Sequence, residues 1–120
     1  GIDELLAGVL VFENDVISQF SCNFLSQNIN DFFIYGNKGH IRIHPNFWGS
    51  TQATLNVNGQ EHTKNAPFNA SGFEYQTAEA IRCIRAGLLE SPIMPHSTTL
   101  AMMKYMDSIR AEIGLKYPFE

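Results

Sequence analysis

The sequence predicts an α+β fold: an open, mainly antiparallel β-sheet of about six strands with two helices packed on one face. Three observations carry that prediction. Up to Val57 the apolar residues alternate with polar ones or form short continuous runs, as strands do. From Phe73 onward the apolar spacing becomes helical. The links between early strands are short, Gly36-Asn37-Lys38-Gly39 and Asn58-Gly59 among them, and such links join antiparallel neighbours.

Glu4 to Phe12 is apolar at nearly every position, which predicts a strand covered on both sides. Glu13-Asn14-Asp15 is a turn. Val16 to Leu25 then alternates, with Val16, Ser18, Phe20, Cys22 and Phe24 on one face. After turn-forming residues from Ser26 to Asn28 and at Asn30-Asp31, a short strand apolar on both faces runs from Asp31 or Phe32 to Tyr35. It enters a tight hairpin at Gly36–Gly39, where positive φ is expected at Asn37 and the glycines. On the return arm Ile41 and Ile43 oppose Arg42 and His44, and Pro45 ends the strand. Ala53, Leu55 and Val57 form the next strand, and the polar stretch Gln60 to Asn65 returns from Asn58-Gly59 as an exposed edge.

The first helix is expected over Phe73–Leu88, with Phe73, Ala80, Ile81, Ile84 and Leu88 as its inward stripe. The second is expected over Ser97–Ile113, capped by Ser97 or Thr98 and ended by Gly114. Its inward stripe reads Met102, Met103, Met106, Ile109 and Ile113. The 120 residues, 44% apolar and 17% charged, suit one folded soluble domain over residues 1–120.

Several function classes drop out. Net charge is −4 and the basic residues are scattered, so nucleic acid is not expected as a partner. No apolar run approaches the ~18 residues of a membrane span, and no membrane partner is expected. Cys22 and Cys83 form no close pair and read as reduced core residues of a cytoplasmic protein. None of the four histidines has metal-ligand spacing, and no nucleophile or catalytic set stands out. The Gly36–Gly39 turn joins two strands and so lacks the helix N-terminus that a pyrophosphate needs. What remains is Asn46-Phe47-Trp48, an aromatic loop released by Pro45 that contains the only tryptophan. It reads either as a pocket wall or as a plug over the end of the core.

The stretch from Tyr35 to Ile41 followed by Asn46-Phe47-Trp48 resembles the G-T-K-G … N-P-x-W hairpin of Gfo/Idh/MocA oxidoreductases, in particular their dihydrodiol dehydrogenase branch. Ile81-Arg82-Cys83-Ile84-Arg85-Ala86-Gly87, then Glu90-Ser91-Pro92-Ile93-Met94-Pro95, resembles that family's C-I-R-x-G-x-x-E-S-P-x-x-P, and the ending Ile113 to Pro118 is similar too. The resemblance implies an NAD- or NADP-dependent parent acting on a sugar, cyclitol or diol hydroxyl. Its N-terminal Rossmann domain would bind the cofactor. This chain would be the latter part of its C-terminal substrate and oligomerisation domain, with no catalytic residue of its own. By position, Trp48 matches the aromatic that lines the substrate pocket, and Phe68 an aromatic before the first helix that reaches it. Two helices cover one face of so wide a sheet, so a homodimer through the open face is expected. The alternative is a non-catalytic interaction module.

Overall fold

The structure, a computed structural model, describes residues 2–119. It contains six strands, β1 (Leu5–Val11), β2 (Ile17–Asn23), β3 (Phe32–Gly36), β4 (Gly39–Ile43), β5 (Gln52–Val57) and β6 (Gln60–Asn65). Two helices follow, α1 (Phe73–Arg85) and α2 (His96–Glu112). All strand pairings are antiparallel and neither sheet closes on itself, which bears out the α+β open-sheet prediction. The strands divide between two sheets, β1-β2 and β3-β4-β5-β6. The chain forms two compact units: one holds the residues up to Gln27 with those from Pro92 onward, and the other is Asn28–Ser91.

In the first unit β1 and β2 pair from Leu5–Asn23 to Val11–Ile17. Residues directly opposite share a face, so Leu6, Gly8, Leu10 and Phe20 lie on one side. That side meets α2: Leu6, Leu10 and Phe20 line a cavity of about 360 Å³ with Met102, Tyr105, Met106, Ile109 and Ile113. The methionine stripe lines that groove largely at its predicted positions, with Tyr105 in it and Met103 outside, but Met102, Met106 and Ile113 stay about half exposed rather than buried. Gly8 is what lets the Phe20 ring lie flat across β1, since a Cβ there would come 2.8 Å from the ring's Cζ. The other side of β1 is open: Leu5, Val9 and Val11 are exposed, so the strand is not covered on both sides. Cys22 is exposed as well, against the core reading, near the end of the two-stranded ribbon where Asn23 pairs with Leu5. There the Asn23 side-chain oxygen accepts hydrogen bonds from the Leu25 and Ser26 N–H groups. The α2 N-cap is Pro95 rather than Ser97 or Thr98; both sit inside the first turn, where Thr98 N–H already bonds the Pro95 carbonyl. Gly114, at φ 67°, ends the helix as predicted, with the Leu115 N–H returning to the Arg110 carbonyl.

In the second unit two-residue hairpin turns set the register, Gly36 opposite Gly39 and Val57 opposite Gln60. Asn58 and Gly59 take positive φ, 53° and 80°, as their sequence demands. Asn37 does not; among the turn and its flanks Gly39 alone has positive φ. The reason for that glycine is space. A Cβ on Gly39 would run into the Asn56 carbonyl oxygen of β5 and lie 3.2 Å from the Val57 α-carbon. Gly36, by contrast, has room for one.

The outcome for α1 differs from its periodicity. Ile81 and Ile84 of the expected inward stripe are exposed, Ile84 at 76%, while Cys83 is buried at 6%. A saturated carboxylate holds that side in. Glu79 takes two hydrogen bonds from the Arg82 guanidinium (2.7 and 2.8 Å) and one from the Ser91 hydroxyl (2.6 Å), with the Cys83 sulfur 3.4 Å away. The arginine, then Ser91, holds the Glu79 carboxyl down at about 2. At the helix start Glu74 turns back to accept from the N–H groups of Ala70, Ser71 and Gly72 at 2.7–3.0 Å. Its own N–H, then those three, lowers its carboxyl to about 2.

Two outcomes follow. Gly39→Ala should unfold the four-stranded unit or cost ~3 kcal/mol or more, as forced overpacking against backbone does, whereas Gly36→Ala should fall within ~1 kcal/mol of wild type in urea melts. Both glutamates have folded pKa values below their ordinary 4.5, so their contribution is complete above that value and is lost as pH falls toward about 2. Helical circular dichroism should therefore decline over that window, and Glu74→Gln should flatten the decline.

Candidate functional site

The site is built where β4 ends and β5 begins. His44 continues past β4, its N–H donating to the Gln52 carbonyl at 3.1 Å. Its ring Nε2 lies 2.8 Å from the Thr54 hydroxyl, which in turn lies 2.7 Å from that of Thr63. Thr54 is one of two buried residues among those described, and these contacts satisfy its hydroxyl, while His44 is half-buried and Thr63 exposed. Pro45 then stops the ladder and Asn46 adopts a left-handed conformation, φ 59°. The backbone turns into a single 3₁₀ turn, Phe47–Gly49, closed by the Gly49 N–H on the Asn46 carbonyl.

That turn carries the aromatic loop. The Phe47 N–H donates to the Asn30 carbonyl at 3.0 Å, tying the loop to the chain entering β3. The Phe47 ring lies 5.8 Å from Phe32 and meets the Trp48 indole edge to face at 5.3 Å and 76°. Trp48 is 68% exposed. A plug over the core would be buried, so the indole does not close the core of this unit.

Phe68 follows β6. It is half-buried, its ring 3.3 Å from where a Cβ on Gly72 would stand and 6.2 Å from the Tyr75 ring. The Ala66 N–H bonds the Thr51 carbonyl at 2.8 Å, and Asn65 pairs with Gln52. The Phe68 segment therefore leaves the sheet at the same end as the Trp48 loop. The two rings share that end without stacking on one another: each has its own neighbour, Phe47 for Trp48 and Tyr75 for Phe68.

One cluster escapes a reading of single strands. The register places Phe33 opposite Arg42 and Tyr35 opposite His40. Phe33 and Tyr35 stack at 5.6 Å and 7°, both lie near the His40 ring, and the Arg42 guanidinium sits 5.7 Å over Phe33. Arg42 also pairs with Asp31 at 2.7 Å. The two-residue length of the Asn37-Lys38 turn is the signal that would have found this ladder. Among the described residues no three histidines, cysteines or acids gather as a metal-ligand set, and no helix is long and apolar enough to cross a membrane.

Chemically the Trp48 end offers aromatic faces and hydrogen-bonding hydroxyls, with no proton-transfer pair in a cleft.

No family model matches the chain. Curated relatives do match. The trans-1,2-dihydrobenzene-1,2-diol dehydrogenase of Danio rerio is 30% identical over 125 residues, covering 98% of this chain and 37% of that protein. Proteins of the same name from Xenopus tropicalis and Homo sapiens are 28% and 25% identical, again over 98% of this chain and 38% and 37% of their own lengths. The chain thus spans well under half the length of these relatives. The resemblance carried by the hairpin and helix motifs is borne out: across nearly its whole length this chain is similar to trans-1,2-dihydrobenzene-1,2-diol dehydrogenases, as a C-terminal domain of the dihydrodiol dehydrogenase type would be.

Proposed function

We propose that this chain is the substrate-facing and oligomerisation part of an NAD(P)-dependent oxidoreductase whose parent acts on a diol, within the wider class of sugar, cyclitol and diol hydroxyls. The observation that carries the reading is the exposed Trp48 loop, emerging with the Phe68 segment at one end of the sheet in a chain so similar to diol dehydrogenases. Trp48 and Phe68 would receive the C–H side of the substrate ring and keep water from it, a task that needs no charge. The nicotinamide supplies the hydride chemistry and would be held elsewhere in the parent.

The residues present here do not fit a dinucleotide. The Gly36–Gly39 turn passes from strand to strand. The N–H groups at the start of α1 that could cradle a phosphate are filled by the Glu74 carboxylate.

The oligomerisation half of the proposal is supported by β1. With α2 on one side, its other side leaves Leu5, Val9 and Val11 exposed beside Ile17. Apolar surface of this kind marks contact sites. A homodimer through the open sheet face would cover it, and the parent's other domain is the second partner expected.

Two measurements test the reading. In the full-length parent, Trp48→Ala should raise KM or lower kcat with little change in Tm; a fall in stability of ~3–5 kcal/mol with normal residual kinetics would instead identify a core residue. In light scattering at tens of micromolar the chain should run as a dimer and Val9→Glu as a monomer; a monomeric wild type counts against the interface.

A further inference from the structure

We propose that Phe47 is a positioning residue for Trp48: its ring, held between Phe32 and the indole, fixes the plane that Trp48 presents to the substrate. The inference rests on the pocket reading of Trp48 and adds what makes that reading work. An indole exposed at 68% on a one-turn loop has many orientations open to it. Among the described residues its ring contact is with Phe47 alone, and it makes no hydrogen bond of its own. Phe47 is anchored on three sides. Its N–H bonds the Asn30 carbonyl, its ring lies on Phe32 at the first position of β3, and its carbonyl meets the Ser50 N–H at 3.5 Å. Phe32 is itself in register with Ile43, the last residue of β4. A chain of contacts thus runs from the sheet through Phe32 and Phe47 to the indole. The near-perpendicular rings, at 76°, leave one broad indole face free and form an apolar corner, a shape suited to a flat or nearly flat six-membered ring lying against one wall with its edge toward the other. A polyhydroxylated chain would present hydroxyls to both walls and lose hydrogen bonds to water there.

Trp48 is the only tryptophan, so its emission reports this contact directly. Phe47→Ala should lower the emission anisotropy and steepen acrylamide quenching about twofold, while Phe47→Tyr, which keeps the ring, should match wild type. Circular dichroism spectra matching wild type should show that both variants fold. In the full-length parent Phe47→Ala should raise KM about two- to tenfold, the range an aromatic pair contributes, with kcat held. The Phe47→Ala/Trp48→Ala double variant should be no worse than Trp48→Ala alone. Unchanged anisotropy in Phe47→Ala, while Trp48→Ala still raises KM, overturns this proposal and spares the pocket reading. Unchanged KM in Trp48→Ala overturns both.

Discussion

Gly39 approaches β5 so closely that its α-carbon leaves no space for a side chain beside the Asn56 carbonyl, and much of the second unit is arranged by that approach. With β4 pressed on β5, Ile41 stands opposite Leu55 and Arg42 opposite Thr54. A slip by one residue would turn every side chain of β4 to the other face. The two-residue turn then carries the same register to β3 and collects Phe33, Tyr35, His40 and Arg42 on one face. At the far end it sets where Ile43 stops and hence where Pro45 frees the aromatic loop. One missing methyl group therefore decides which way the strand faces and where the candidate pocket wall begins.

The first unit is built by the same device. Gly8 stands opposite Phe20, and the absent side chain lets the ring lie across the neighbouring strand. There the result is an apolar lining shared with α2 rather than a polar ladder. That lining is open to solvent, with Met102, Tyr105 and Met106 about half exposed around a groove of about 360 Å³. Cores at full packing density hold few voids much larger than a water, and unfilled space forfeits dispersion contacts. At its C-terminal end the helix is closed by the Gly114 cap, with the Arg110 guanidinium 4.4 Å over the Tyr117 ring.

Much of this was legible in the sequence because the information was local. Strand ends fall within a residue or two of their predicted positions, since Asn58-Gly59, Pro45 and the Gly36–Gly39 turn act on the backbone beside them. Trp48 was legible as a loop residue for the same reason. What could not be read depended on partners distant in sequence. The inward side of α1 is one case: its apolar spacing named Ile81 and Ile84, whereas the buried residue is Cys83. No periodicity tells that Ser91 will return to Glu79 from beyond the helix. Phe47 is another case. It stood in the sequence as the residue before the tryptophan, and only its contacts with Asn30 and Phe32 make it the one that holds the indole.

The contrast within α1 bears on how such a domain would work inside a larger protein. Hydrophobic burial is non-directional, so an apolar stripe is satisfied by any apolar surface that meets it. A carboxylate that accepts from one guanidinium and one hydroxyl is satisfied in one geometry only. Along α1 the second kind of contact ties Glu79 to Arg82 one turn on and to Ser91 just beyond the helix, while Ile81 and Ile84 stay exposed. The Trp48 loop follows the same logic, with a hydrogen bond from Phe47 to Asn30 fixing the backbone and the aromatic faces left open. In both places directional contacts fix the local backbone, and the apolar surface beside them stays exposed.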